Sequence, residues 1–317
     1  MLLHDLLGIS EDIYLVEENY LSQLDIEYTL SIMENIRSYL ESQSLRVFRI
    51  SSESKTLGIL LFNPKNEDVP IDFWSVFMGS IAKEPHRTQF EELADSMFAL
   101  NPPERDVEVS PEMLRDAVNE YYSLMLSSDD MCAACTIKSE SYDSVFSQQR
   151  VKRVSDIFEY LSSKGFSLEG DMLDICCGNG MSTMGLYKLG LNPISVDIDR
   201  CAICQGVEHE VLDPKRALVM DATMLSEYFE PESFDSVVGF MLGQIYEFNR
   251  GIWENIMREA TKVAKDGAWM LFTVRNKDEI EIVANALQES GVHGEIIDNT
   301  DAEGVYDHWL FVGRKGQ

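Results

Sequence analysis

The second half of the chain carries short apolar runs that end in a carboxylate or a glycine. Met172, Leu173, Ile175 and Cys176 surround Asp174; Ile194 and Val196 lead to Asp197; Leu218, Val219 and Met220 lead to Asp221; and residues 233–240 form a fourth run. Runs of this length, bounded by turn residues, predict strands. Residues 181–189 read as a helix, residues 263–272 as the turn into a fifth strand, and residues 294–298 with 307–313 as two final strands forming a hairpin. The first half is mixed. Residues 11–44 have a broken helical rhythm, 46–50 with 57–62 predict a hairpin, and 71–81, 87–100 and 111–127 show amphipathic spacing. Ser110 before Pro111 suits a helix start, with serine as cap and proline at the first position. Residues 101–106, with two prolines and three charges, predict a linker.

The richest segment chemically is Asp174-Ile175-Cys176-Cys177-Gly178-Asn179-Gly180, placed between the first of these strands and a helix. Two glycines let the backbone turn sharply and approach a ligand, and the helix start offers free N–H groups to a polar or anionic group. A dinucleotide fingerprint needs a third glycine, but Thr183 stands there, and Asp174 would repel a pyrophosphate. A cationic ligand fits better. Asp197, roughly 20 residues past the loop, is placed to accept hydrogen bonds from ribose hydroxyls.

Taken together, Asp174, Cys176, Gly178 and Gly180 resemble the first motif of class I S-adenosylmethionine (SAM)-dependent methyltransferases, an acid followed by alternating glycines. Cys176 departs from it, standing where the family usually has its first glycine. The later segments follow the family's order. The resemblance implies an α/β fold, a Rossmann-like seven-stranded, mostly parallel sheet with an antiparallel last strand, and SAM as cofactor. It assigns Asp174, Cys176, Gly178, Gly180 and Asp197 to that cofactor, puts Asp221 and Ala222 beside its adenine, and adds Phe240 at the end of the fourth strand. Each residue also has a plainer role open to it: the glycines as a turn, Asp199 and Asp221 as helix caps.

Methyl transfer asks the protein chiefly to align a nucleophile and to remove its proton. Gln244, Tyr246 and Glu247, just past the fourth strand, are candidates, as is His308 before the last one; packing and structural roles are open to Tyr246 and His308 as well. The segment lacks the Asn/Asp-Pro-Pro-Tyr motif with which related enzymes grip an amide or exocyclic amine.

At 317 residues the chain suits two domains. The expected division is an N-terminal α+β accessory domain over residues 1–126, for substrate or partner, and the methyltransferase domain over 127–317. With 26 Lys and Arg against 55 Asp and Glu, the formal charge of -29 disfavours nucleic acid, which demands a basic footprint. The basic cluster Arg150, Lys152 and Arg153 reads as the solvated face of the helix entering the second domain, with one arginine able to reach the carboxylate of SAM. No apolar run is long enough to span a bilayer, and the first residues lack a secretory pattern, so a cytoplasmic location without membrane association is expected. Cys132 with Cys135, and Cys201 with Cys204, form two C-x-x-C pairs that can in principle hold zinc or an iron–sulfur cluster. Their wide separation favours reduced thiols and no metal. The preferred acceptor is a protein, for which the acidic extension offers a docking surface. A small metabolite is the alternative, and a SAM-binding regulator or assembly factor without transferase activity is the reading from another class.

Overall fold

The computed structural model describes residues 2–17, 26–40, 44–67, 69–80, 82–127, 146–163, 165–166, 168–301 and 306–316. Cys132 and Cys135 lie outside the described residues. The chain divides into two compact units, Met1–Tyr122 and Ser123–Gln317.

In the first unit, β1 (Asp12–Leu15), β2 (Val47–Ser52), β3 (Lys55–Asn63), β4 (Phe73–Met78) and β5 (Arg105–Glu108) form a sheet in the order β1-β4-β3-β2-β5. The hairpin is present, closed by Glu53 and Ser54 at φ 47° and 72°. The helices α1 (Leu2–Leu7), α2 (Glu27–Leu40) and α3 (His86–Leu100) belong to this unit, and α4 (Pro111–Ser127) runs from it into the second. Met113 donates its N–H to Ser110 Oγ at 3.1 Å, so the serine cap and the proline start hold. Ile59, Leu61 and Phe77 of the sheet share one core with Met33 of α2 and Phe90 and Met97 of α3.

Residues 71–81 do not form a helix: Phe73–Met78 is an inner strand paired with both β1 and β3. Its Trp74, Val76, Phe77 and Met78 are all buried, so burial on both faces hides the alternation that would have marked a strand. Residues 11–44 hold the strand β1 before the helix α2. Residues 101–106 are no linker. Asn101 is buried, its amide bonded to both backbone groups of Leu45, and Arg105 opens β5, whose charged, exposed positions suit a sheet edge.

In the second unit a helix, α5 (Gln148–Ser163), leads into β6 (Met172–Ile175). There follow α6 (Met181–Lys188), β7 (Ile194–Asp197), α7 (Arg200–Glu208), β8 (Ala217–Val219), a 3₁₀ turn (Ala222–Met224), α8 (Leu225–Tyr228) and β9 (Phe234–Gly239). The chain closes with α9 (Arg250–Val263), β10 (Ala264–Val274), α10 (Lys277–Glu289), β11 (Val292–Asp298) and β12 (Trp309–Lys315). Among the described residues the strands form a seven-stranded sheet in the order β11-β12-β10-β9-β6-β7-β8. Strand β12 runs antiparallel to both β10 and β11, while β8, β7, β6, β9 and β10 pair in parallel. This is the Rossmann-like sheet with an antiparallel last strand. Its order reverses at β6, where the next strand in sequence lies on one side and β9 on the other, and such a reversal opens a crevice at the carboxyl ends of the strands.

Candidate functional site

Strand β6 delivers Asp174 and Cys176 to that reversal point. Asp174 is fully buried; its Oδ2 accepts from Thr183 Oγ1 at 2.7 Å, and its Oδ1 has no hydrogen-bond partner. Burial pushes its carboxyl up to about 7, against the opposing pull of Thr183 and Arg150. The loop then turns through Cys176, Gly178 and Gly180, at φ 54°, 57° and 83°. Cysteine therefore adopts the left-handed conformation that a glycine would take more cheaply, by about 1 kcal/mol. At Gly180 a side chain is excluded twice over, by φ and by Leu212, whose Cδ2 would lie 2.4 Å from a Cβ. Around Gly178 there is open space instead.

Asp197 closes the loop from the neighbouring strand. Its Oδ2 accepts from Gly178 N at 2.8 Å and its Oδ1 from Asp199 N at 2.8 Å. A carboxylate offers about four acceptor sites, so each oxygen keeps one for a further donor. Asp221 caps the 3₁₀ turn, Oδ1 accepting from Thr223 N and Oγ1 at 2.8 and 2.7 Å, and Asp199 caps α7. The plainer role proposed for each of these two is thus present. Cys176 is still the point where the acids converge: burial and the charges of Asp197, Asp174 and Asp221 all push its thiol far above the ordinary range. It stays protonated at neutral pH and offers no thiolate nucleophile. Among the described residues no group of acids, histidines and cysteines is arranged to hold a metal.

Ala222 is buried in the 3₁₀ turn. The Phe240 side chain is packed in the core, 6.1 Å from Phe158 between ring centroids. Its backbone carbonyl accepts from Arg150 Nη2 at 3.4 Å. Arg150, from the first turn of α5, acts electrostatically on both Asp174 and Asp307, and its Nε is buried without a partner.

Asp307 is the residue that pattern reading missed. It is fully buried, at φ 52°, and accepts through Oδ1 from Thr273 Oγ1, while its own N–H points to Met241 Sδ. Thr273 Oγ1 in turn accepts from Met241 N at 2.7 Å. A carboxylate, a hydroxyl and a thioether thus pin the turn at Met241, itself at φ 50°. In the sequence Asp307 merely opens a strand, and no periodicity distinguishes it.

Past Met241 the candidates Gln244 and Tyr246 stand exposed on one loop, Tyr246 Oη donating to Gln244 Oε1. Asn249 fixes the loop by accepting from Tyr246 N at 2.7 Å and donating to Gln244 O at 3.0 Å. His308 is half-buried beside Asp307, and its carbonyl accepts from Asn299 N.

No protein-family model matches the chain, and no curated protein matches it. Among solved structures it is similar to a SAM-dependent methyltransferase of Clostridium acetobutylicum, with 14% identity and a TM-score of 0.42 over 62% of this chain and 100% of that one. A putative SAM-dependent methyltransferase of Methanococcus maripaludis gives 13% identity and a TM-score of 0.43 over 62% and 94%. Phospholethanolamine N-methyltransferase 2 of Haemonchus contortus, solved with phosphomonomethylethanolamine and S-adenosylhomocysteine, gives 18% and 0.38 over 51% of this chain and 53% of that one. The chain thus spans about half the length of that enzyme.

Proposed function

We propose that the unit Ser123–Gln317 is a class I SAM-dependent methyltransferase and that its acceptor is a protein. The observation that carries the methyltransferase reading is a glycine loop at the reversal of a Rossmann-like sheet, with Asp174 entering it, Asp197 bonded to its Gly178 amide, and a buried carboxylate oxygen of Asp174 left unpartnered. The donor set matches the parts of SAM. Asp197 retains acceptor sites for vicinal hydroxyls, Asp174 answers a positive charge, and Arg150 answers a carboxylate.

SAM, when bound, supplies a methyl group already activated by its sulfonium. The chain's own residues hold, orient and exclude water, which is where several kcal/mol of such a reaction come from. Arg150, through the Phe240 carbonyl, and Thr273, through the Met241 amide, fix the end of β9. Gln244, Tyr246 and His308 are the groups we assign to the acceptor, with proton removal as the role to be tested.

The second reading is a SAM-binding regulator or assembly factor. Cys176 in place of glycine, and the hydrogen bond by which Gln244 and Tyr246 occupy one another, favour it. Incubation with radiolabelled SAM and an extract of the source cells separates these readings. Label on a macromolecule supports the protein acceptor, label in the small-molecule fraction replaces it by a metabolite, and a thermal shift with S-adenosylhomocysteine but no transfer selects the regulator.

A further inference from the structure

The loop after β9 presents an apolar surface where solvent contact is costly. Phe248 is 85% exposed, Tyr246 49% and Ile252, at the start of α9, 56%. Phe248 and Tyr246 stack, with centroids 5.4 Å apart and planes 13° from parallel. Slack in the chain does not explain this exposure. Besides the Asn249 bonds, Ile245 N donates to Glu279 Oε1 at 3.3 Å, and Glu279 is itself held in the capping box at the start of α10. A loop tied by hydrogen bonds thus holds the Phe248 ring out in water with the Tyr246 ring half exposed beside it.

The charge around them is lopsided. Glu247 sits between the two rings in sequence, and Glu247, Glu254 and Glu289 all act on one cation, Arg250, whose Nε already donates to Glu254 at 2.7 Å. Glu254 is already paired with Arg250, and Glu247 and Glu289 stand outside that pair, within a chain of formal charge -29. Aromatic faces framed by acids attract a cation twice, through the ring quadrupole and through the carboxylates, and a planar guanidinium also stacks.

We infer that Tyr246, Phe248 and Glu247 form a docking platform for an arginine-bearing segment of another protein. This deepens the proposed function, on which it rests for one point only: that the docked segment is the acceptor or leads it to the crevice.

The test uses the full-length protein and a fluorescein-labelled peptide of alternating arginine and glycine-serine, with fluorescence anisotropy over a salt series. The Phe248→Ala variant should bind the peptide roughly three- to tenfold more weakly, as loss of one exposed to partly desolvated cation–π contact implies. Phe248→Leu, which keeps the apolar bulk, should recover little of the loss. Glu247→Gln should weaken binding and flatten its salt dependence. Unchanged affinity in Phe248→Ala would overturn the platform, since net charge alone would then explain binding. Full recovery in Phe248→Leu would overturn the cation–π basis. Concentration-dependent dimerisation of the wild type that Phe248→Ala abolishes would assign the patch to a second copy of the chain. Melting temperatures of the variants report folding. The thermal shift with S-adenosylhomocysteine is read separately, so peptide binding without that shift sinks the methyltransferase reading and leaves the platform standing.

Discussion

Replacing Asp174 by Asn tests whether a buried carboxylate has been kept at a cost to stability in order to receive a cation. Its carboxyl is raised from 3.8 to about 7 in the fold, chiefly by burial. Raising the carboxyl that far corresponds to about 4 kcal/mol. The folded value lies above the unfolded one, so the contribution is fully present below pH 3.8 and is lost as pH rises through 7. At pH 8 the wild type therefore bears the whole penalty. Asparagine cannot ionise, and its oxygen can still accept from Thr183, although its amide N–H groups then need partners, at a cost of about 1–3 kcal/mol. The variant should match or fall below the wild type at pH 5 and exceed it by roughly 1–3 kcal/mol at pH 8. Urea unfolding followed by tryptophan fluorescence in a Trp74→Phe background measures this, because the remaining Trp253, Trp269 and Trp309 all lie in the second unit. S-adenosylhomocysteine, which lacks the sulfonium charge, should bind the two proteins more nearly alike than SAM does. For SAM, calorimetry at pH 7 in buffers of different ionisation enthalpy should show release of about half a proton in the wild type and none in the variant. Parallel stability profiles between pH 5 and 8, or no difference in proton release, would refute the argument.

Other outcomes follow from the same structure. Asp197→Ala should lose most of the thermal shift given by S-adenosylhomocysteine, since it removes the carboxylate that holds Gly178 N and, in the proposal, the ribose; about 1–3 kcal/mol of binding is expected to go with it. Gly180→Ala should lower the melting temperature markedly, whereas Gly178→Ala, with open space around it, should meet only the strain of its φ, about 1 kcal/mol. In the first unit Glu17 is buried, with its carboxyl raised to about 7 by burial, while Thr29 Oγ1 and Met78 N donate to it. Its folded value is again above the unfolded one, so that unit should lose about 3 kcal/mol as pH rises from 4.5 past 7, and Glu17→Gln should flatten the profile in denaturant titrations.

Much of the second unit was legible in the sequence, because β7, β8 and β9 are short apolar runs closed within two residues by Asp197, Asp221 and Gly239, and β6 carries Asp174 into a glycine turn. Gly178 and Gly180 need positive φ, and Asp199 caps the helix directly after it; these are properties of neighbours in the chain. The sheet order, with β12 inserted antiparallel, was reached only through the resemblance. Local patterning failed where burial came from distant segments. Phe73–Met78 lost its alternation because Phe77 is buried on one face and Trp74, Val76 and Met78 on the other, and Asn101 became a buried clamp through bonds to Leu45, 56 positions away. The site shows the same split. Sequence alone placed Asp174 and Asp197 at the loop. Only the tertiary structure let Arg150 act on both Asp174 and Asp307, turned the Phe240 ring into the core, and joined Asp307 to Thr273 and Met241 across three segments. Hydrogen bonds and charges of that kind depend on distances set by packing, and spacing along the chain carries no record of them.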